Sequence, residues 1–331
     1  MDFQLSDDQR ALRSGMRDLL DALFDRDRMR AAVERGGTLD RSLWRELGAA
    51  GFFALRLPEE AGGVGLGLPE AVLLFEEAGR ALLPGPLVAT HLAAGLVKGA
   101  AEGEAVVTAV DGDLPVAHLA EADAVLVGAD ALAGEPLRAF VAAARPVRSM
   151  DPLTPLHRVA GRTAATEAYS GALHYEGALL TAAEQLGSAA RTTETAVQHA
   201  GDREQFGSPI GSFQAVKHLC ADMLARTEPA RAAVYAAAVT GDPVEIAAAK
   251  LLADEAAVRN ARDCLQIHGG MGFTWEADVH LHLKRAWLRS AARLGGAAAE
   301  ELLAAGLGAA RPYPGSSAAS GRGAPEAGGG G

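Results

Sequence analysis

The stretch "DREQFGSPIGSFQAVKHLCADMLA", residues 202–225, sets an arginine (Arg203), a Gln-Phe-Gly (205–207), a Pro-Ile (209–210) and a Phe-Gln (213–214) ahead of a long amphipathic pattern. Before it, "LLTAAEQLGSAARTTETAVQHAGDR" from Leu179 has the apolar spacing of one long helix, so the stretch joins two helices. A third helix is expected over "DPVEIAAAKLLADEAAVRNARDCLQIHG", with Pro243 early in it, where proline is tolerated. "DVHLHLKRAWLRSAARLGGAAAEELLAAGL" reads as the last. Four long helices with short connections predict an antiparallel four-helix bundle. Val216, Leu219, Cys220, Met223 and Leu224 form a core stripe in this reading. A second polar and glycine-bearing stretch, "QIHGGMGFTWE" (Gln266 to Glu276), closes the third helix.

Working outward, the first hundred residues read as helical. "SDDQ" at Ser6–Gln9 is a capping-box pattern, and Leu12, Met16, Leu19, Leu20, Leu23 and Phe24 follow at helical spacing. A second helix is expected from Asp40 to the glycines Gly48 and Gly51, and a third over "LPEAVLLFEEAGRALLPGP". From about Ala105 the character changes: "AVVTAV", "LPVAHL" and "AVLVGAD" are short β-branched runs broken by turn residues. "LRAFVAAARPVRSMDPLTPLHRVA" is expected to continue as extended chain. The fold class is therefore mainly α with a small β insert: an N-terminal helical domain (1–100), a reduced middle β-domain (101–176) and a C-terminal four-helix bundle (177–311). The Gly/Ala/Ser/Pro-rich tail, 312–331, is expected to be disordered.

Composition narrows the function. A formal net charge of −11 argues against nonspecific nucleic-acid binding, which needs a basic face. Hydrophobic residues make up 49%, enough for a large core, yet no run approaches the ~18 apolar residues of a membrane span. The acidic, polar N-terminus does not read as a signal peptide, and the chain is expected to be cytoplasmic. Cys220 and Cys264 read as buried thiols; no metal-ligand spacing such as CxxC or HExxH occurs.

The motifs R-x-QFG-x-PI-x-x-FQ-x-VKH-x-x-ADM (Arg203–Met223) and Q-x-HGG-x-GFT-x-E (Gln266–Glu276), with this domain order, resemble the acyl-CoA dehydrogenase family. The resemblance implies FAD as cofactor and an acyl-CoA thioester as substrate. It also implies a flavin ring between the middle domain and the bundle, and motif residues that reach across a subunit interface to a neighbour's FAD. The side chains suit that role. Arg203 is an always-charged fork for a pyrophosphate, Phe206 an apolar ring face, and Gln214 a neutral donor–acceptor pair. Gly269 and Gly270 let backbone approach a bulky ligand, with Gln266 one turn before them. Thr274 and Glu276 complete the second motif. Each feature alone has a plain structural reading: Arg203 as a solvated helix-end arginine, Gly269-Gly270 as a helix C-cap. His218 reads as structural, and His268 as shaping the turn.

Two expected features of the family are missing. The glutamate base that usually follows the Gly-Gly motif would fall near Leu294, where there is none. A minority of the family places the base at the start of the first bundle helix, beside Glu176 and Gly177; Glu176 is the candidate, one residue off by an ungapped count. Glu184, further along, reads as an ordinary helix carboxylate. The middle segment lacks the family's "TEPxAGSD"-like and Trp-x-Thr strands, with no tryptophan between 101 and 175. The chain thus resembles the short subunit of bacterial heteromeric (α2β2) acyl-CoA dehydrogenases of fatty acid or steroid side-chain catabolism. Its expected partners are a homologous full-length subunit or further copies of itself, and an electron-accepting flavoprotein. The alternatives are a self-sufficient homomeric dehydrogenase using Glu176, a catalytically silent scaffold, and a flavin monooxygenase on the same fold.

Overall fold

A computed structural model of the chain describes residues 4–128, 130–160 and 172–309; the predicted tail lies outside these residues. The N-terminal helices are α1 (Asp7–Leu23), α2 (Arg26–Glu34), α3 (Arg41–Ala49), α4 (Leu68–Arg80) and α5 (Leu87–Leu92). Helix α1 begins with the expected capping box, in which Ser6 Oγ accepts from the Gln9 N–H at 3.1 Å and Gln9 Oε1 from the Ser6 N–H at 3.1 Å. Met16, Leu20 and Phe24 are buried along one stripe, with Leu12, Leu19 and Leu23 at its edge. Helices α2 and α5 carry no pattern of their own in the sequence reading; Asp25 caps α2 by accepting from the Arg28 N–H at 2.9 Å. Trp44, Phe52, Phe53 and Phe75 are fully buried and stack ring to ring at 4.7–5.3 Å. Truncating one such ring to alanine costs about 3–5 kcal/mol.

The middle unit holds two small sheets. Strands β1 (Val107–Ala109), β3 (Ala124–Val127) and β4 (Asp130–Ala133) form one in the order β1-β3-β4, with β1 parallel to β3 and β4 antiparallel to it. Strands β2 (Val116–Ala117), β5 (Ala144–Val147) and β6 (Leu156–Val159) form the other, antiparallel, in the order β2-β6-β5. Helix α6 (Gly134–Ala142) lies where the sequence suggested extended chain. Its Leu137, Phe140 and Val141 close a small core with Val110, Val116, Leu119, Val125 and Val159, and that burial outweighs the extended signal.

The bundle comprises α7 (Ala172–Asp202), α8 (Gln214–Thr240), α9 (Pro243–His268), α10 (Val279–Ala291) and α11 (Gly296–Ala309); a hairpin of β7 (Glu204–Gln205) and β8 (Ser208–Pro209) separates α7 from α8. Helix α9 is buried on nearly every face by small side chains: Ala247, Ala249, Ala253, Ala256, Ala257 and Ala261. Its neighbours can therefore approach closely. Helices α4 and α7 cross even more tightly, at two glycines. A Cβ at Gly187 would run into the Glu76 carbonyl oxygen, and one at Gly79 into the Glu184 carbonyl oxygen.

Three expectations about the bundle are corrected. The last helix is two, because Arg293 and Leu294 adopt positive φ (46° and 68°) ahead of Gly295, and the Arg293 N–H donates to Asp111 Oδ2 at 2.6 Å. That bond turns the chain toward the middle unit. In the core stripe, Met223 is buried and Val216, Leu219 and Cys220 pack at its edge, but Leu224, one position round the helix from Met223, points away and is 53% exposed. Cys264 is buried as expected, whereas Cys220 is only half-buried. His218 is solvent-facing and takes no part in the core.

Arg285 on α10 locks the three parts together. Its Nε donates to Asp151 Oδ2 at 2.7 Å, and its Nη1 donates to the carbonyl oxygens of Leu82 and Leu83 at 2.9 and 2.8 Å, all buried.

Candidate active site and cofactor surface

The two motifs occupy one end of the bundle. His199, near the end of α7, stacks on His268, the last residue of α9, with ring centroids 4.0 Å apart and planes 15° apart. His268 Nδ1 donates to the Cys264 carbonyl at 2.8 Å, so this histidine holds the helix end as well as the stack. Arg203 follows four residues after His199, its N–H bonded to the His199 carbonyl at 2.9 Å. Gln266, Gly269 and Gly270 lie beside His268 on the other helix. Gly269 has φ +61° and ψ −141°, a conformation essentially open to glycine alone, and it releases the chain from α9 into a 3₁₀ turn, Gly269–Phe273.

These motif side chains face outward. Phe206 is 93% exposed, and its φ is +54°. With Gly207 at +76°, it forms the two-residue turn of the β7–β8 hairpin, where both central residues need positive φ. Asparagine and glycine are the usual occupants; a phenylalanine costs about 1–2 kcal/mol there. Its ring meets Phe213 edge to face at 6.1 Å. Phe273 (78%), Trp275 (59%) and Met271 (54%) add to the uncovered apolar surface. Among the described residues, the side chains of Arg203, Gln214, Gln266 and Glu276 make no hydrogen bond. These are uncommitted donors, acceptors and apolar faces, and such a set fits a dinucleotide with a charged pyrophosphate and flat rings. Thr274 differs: its hydroxyl donates to the Met271 carbonyl at 2.8 Å and shapes the turn.

Residues from the N-terminal helices, which the motifs did not point to, hold this loop. Arg26 Nη2 donates to the Glu276 carbonyl at 3.0 Å and its Nε to Asp278 Oδ2 at 2.5 Å. Arg30 donates to the Trp275 carbonyl and pairs with Asp278 at 3.2 Å. Lys284 Nζ sits over the Trp275 ring at 4.2 Å. In the sequence, the basic run "DRDRMR" that opens α2 and the acid two residues after "FTWE" are the hints of this brace.

Glu176 sits elsewhere, near the start of α7. Arg56 binds it in fork fashion, Nη1 to Oε2 at 2.6 Å and Nη2 to Oε1 at 3.2 Å, so both oxygens are taken. Leu294, at the position where a base was sought, is buried. A cavity of about 180 Å³ opens between the middle unit, α7 and α10. Its walls combine Leu87, Val88, Thr108, Leu156 and Thr181 with charged side chains: Asp111, Glu184, Arg285, Arg289 and Arg293. Glu184 is not an ordinary helix carboxylate. It is buried, accepts from Arg289 Nη2 at 2.6 Å, and burial pushes its carboxyl above the usual range. Among the described residues no group of three or more His, Cys, Asp or Glu side chains is placed to hold a metal ion.

Comparison with known proteins agrees with this layout. Residues 6–102 match the acyl-CoA dehydrogenase N-terminal domain and residues 167–299 the C-terminal domain. The acyl-CoA dehydrogenase IpdE2 of Mycobacterium tuberculosis is 39% identical over 270 residues, 78% of this chain and 84% of that protein. A chain of the ChsE4–ChsE5 complex from Mycobacterium tuberculosis shares the fold at TM-score 0.79 and 24% identity, covering 94% of this chain and 100% of that one. PigA, solved as an FAD complex, shares it at TM-score 0.77 and 19% identity, covering 93% and 99%. The chain belongs to the acyl-CoA dehydrogenase family of oxidoreductases. No helix among the described residues is long and apolar enough to cross a membrane.

Proposed function

We propose that this chain is a partner-completing subunit of an FAD-dependent acyl-CoA dehydrogenase that desaturates an acyl-CoA thioester between Cα and Cβ. The observation that carries the reading is the outward face of the two motifs, with Phe206 held uncovered in a strained conformation. Strain and exposure of this kind are retained where a ligand or partner covers the residue. FAD, when bound, supplies the two-electron acceptor. Toward an FAD held mainly by a homologous full-length subunit, Arg203 would face the pyrophosphate, Phe206 an apolar edge, and Gln214 and Gln266 polar atoms through their amides. Gly269 and Gly270 would allow close backbone approach, while Thr274 through its hydroxyl and Glu276 through its backbone carbonyl fix the loop that carries them.

The junction cavity supports the same division of labour. At about 180 Å³ it is smaller than the ~300 Å³ and more of usual small-molecule sites, and ion pairs line it. Glu176 is a poor base in this state, since proton abstraction would first have to break the Arg56 fork. In this reading the catalytic base comes from the partner, the substrate is an acyl-CoA, and the electrons pass on to an acceptor flavoprotein. The partition at 1–100, 101–176 and 177–311 belongs to the same reading, as does a cytoplasmic location.

Co-expression with a full-length homologue from the same genome, followed by size-exclusion chromatography with light scattering, tests the assembly. A stable complex with one FAD per pair of unlike chains is expected. A flavin-loaded homo-oligomer of this chain alone would favour the self-sufficient enzyme.

A further inference from the structure

The loop after α9 carries apolar surface that the cofactor reading leaves unused. In the pattern Q-x-HGG-x-GFT-x-E, Met271 and Trp275 fill variable positions, so neither is among the residues assigned to FAD. Both are uncovered all the same, as is Phe273 between them.

Trp275 is exposed but not loose. Lys284 Nζ lies over its ring at 4.2 Å, the His280 ring meets it nearly perpendicular with centroids 4.8 Å apart, and Arg30 donates to its carbonyl. The chain on either side is pinned as well, by the Thr274 hydroxyl on the Met271 carbonyl and by Arg26 on the Glu276 carbonyl. An indole fixed in advance loses little conformational freedom when it is covered, which makes a rigid tryptophan an effective anchor in a protein interface.

Area and charge say what kind of surface fits. Taken at roughly 200 Å² a ring, the exposed parts of Phe206, Phe213, Phe273 and Trp275 come to about 500 Å² at this end of the bundle. That is more than half of the ~800 Å² that each side of a stable protein interface buries. Of the charged side chains that touch or belong to the loop, Arg26, Arg30 and Lys284 stand against Asp278 and Glu276. Asp278 already holds both arginines, and Lys284 has no hydrogen bond or ion pair to the described residues. A cation is left at the rim of an apolar patch.

We propose that Met271, Phe273 and Trp275 anchor a protein partner: an apolar socket with an acidic rim on the homologous full-length subunit, engaged whether or not flavin is bound. The indole enters the socket, and Lys284 meets a carboxylate at its edge. The proposal rests on the partner-completed reading and adds to it what holds the two chains together. Arg203, Gln214 and Gln266 serve the cofactor; the Trp275 loop serves the partner.

The experiment is the dissociation constant of this chain for the full-length homologue from the same genome, measured by biolayer interferometry on flavin-stripped proteins and again with excess FAD. Association without FAD is expected, weakened at least about thirtyfold in Trp275→Ala, the factor of an interface hot spot, and within about threefold of wild type in Arg203→Ala. At saturating partner, the Trp275→Ala pair should still hold its FAD. Phe273→Ser, at an exposed position, should weaken association in the same way and carries the test if Trp275→Ala unsettles the loop. Lys284→Glu should slow association several-fold at low salt and little at high salt. Wild-type affinity in Trp275→Ala and Phe273→Ser, an unchanged rate in Lys284→Glu, association only when FAD is present, or loss of FAD rather than of partner in Trp275→Ala would overturn the proposal. So would a homodimer of this chain that Trp275→Ala disperses, since the occupant is then a second copy. No binding of the wild-type chain to the homologue, with or without FAD, would defeat the partner-completed reading and the proposal with it.

Discussion

His199 lies flat on His268, 4.0 Å between ring centroids, and this one contact joins the ends of α7 and α9. Because Arg203 and Gln266 flank the two imidazoles, motifs more than sixty residues apart in sequence share a single surface. Burial, the neighbouring His268 and then Arg203 all keep His199 below its ordinary pKa. His199 is therefore neutral at pH 7, and Arg203 brings a positive charge to this surface.

Arg203→Ala should strip FAD from the assembled complex while this chain's melting temperature stays within a degree or two. Its exposed guanidinium makes no hydrogen bond to the described residues, and surface substitutions away from special features usually change stability by no more than about 0.5 kcal/mol. Flavin absorbance against protein after gel filtration reads the result. Unchanged occupancy would remove Arg203 from the site.

Asp278 joins Arg26 and Arg30 to the loop that bears Trp275 and Glu276. Asp278→Ala should loosen residues 271–277, seen as faster amide exchange in that segment, and weaken FAD affinity about tenfold. Partly exposed ion pairs contribute only about 1 kcal/mol each, so global stability should fall modestly. Unaltered exchange would show that the loop is held by other contacts.

Glu176→Gln separates the two enzymatic readings. In a partner-completed enzyme, turnover of the complex should stay within about twofold, with a stability loss of roughly 1 kcal/mol from the weakened Arg56 fork. Loss of turnover by three or more orders of magnitude, about what removal of a general base produces, would return the base to this chain.

Acid sensitivity has an identifiable source. His282 is buried against Ser188 and held down to about 3; His91 is buried and held down to about 4. An unfolded histidine titrates near 6.5, so below that pH the unfolded chain takes up protons that the folded chain refuses, and stability falls as pH falls. Each group contributes about 2 kcal/mol of destabilisation between pH 7 and pH 5. Glu184 and Asp254, raised by burial, act in the opposite direction, so the comparison must be between variants. His282→Gln should lose less melting temperature than the wild type over that interval. Parallel pH profiles would mean that the imidazole is protonated in the folded chain.

Much of this fold was legible because its signals are local. The Ser6 capping box, the early Pro243 and the apolar spacing from Leu12 to Phe24 each act within a few turns. The motif residues were legible as types: a fork, a ring, amides and glycines. What the sequence hid depends on contacts distant in the chain. The break before Leu294 comes from Asp111, nearly two hundred residues away, taking the Arg293 N–H. Glu184 looked ordinary because its partner Arg289 lies on another helix. Helix α6 formed where an apolar face found the small β core, a gain no window of that segment displays. The glycine crossing of α4 and α7 is equally silent in sequence.

The most direct test of the central claim is a visible absorbance spectrum, with flavin-to-protein stoichiometry, on the purified chain alone and after co-expression with a full-length homologue. The account predicts a colourless chain alone, and one FAD per heterodimer when the partner is present. Full FAD occupancy in the isolated chain would contradict it.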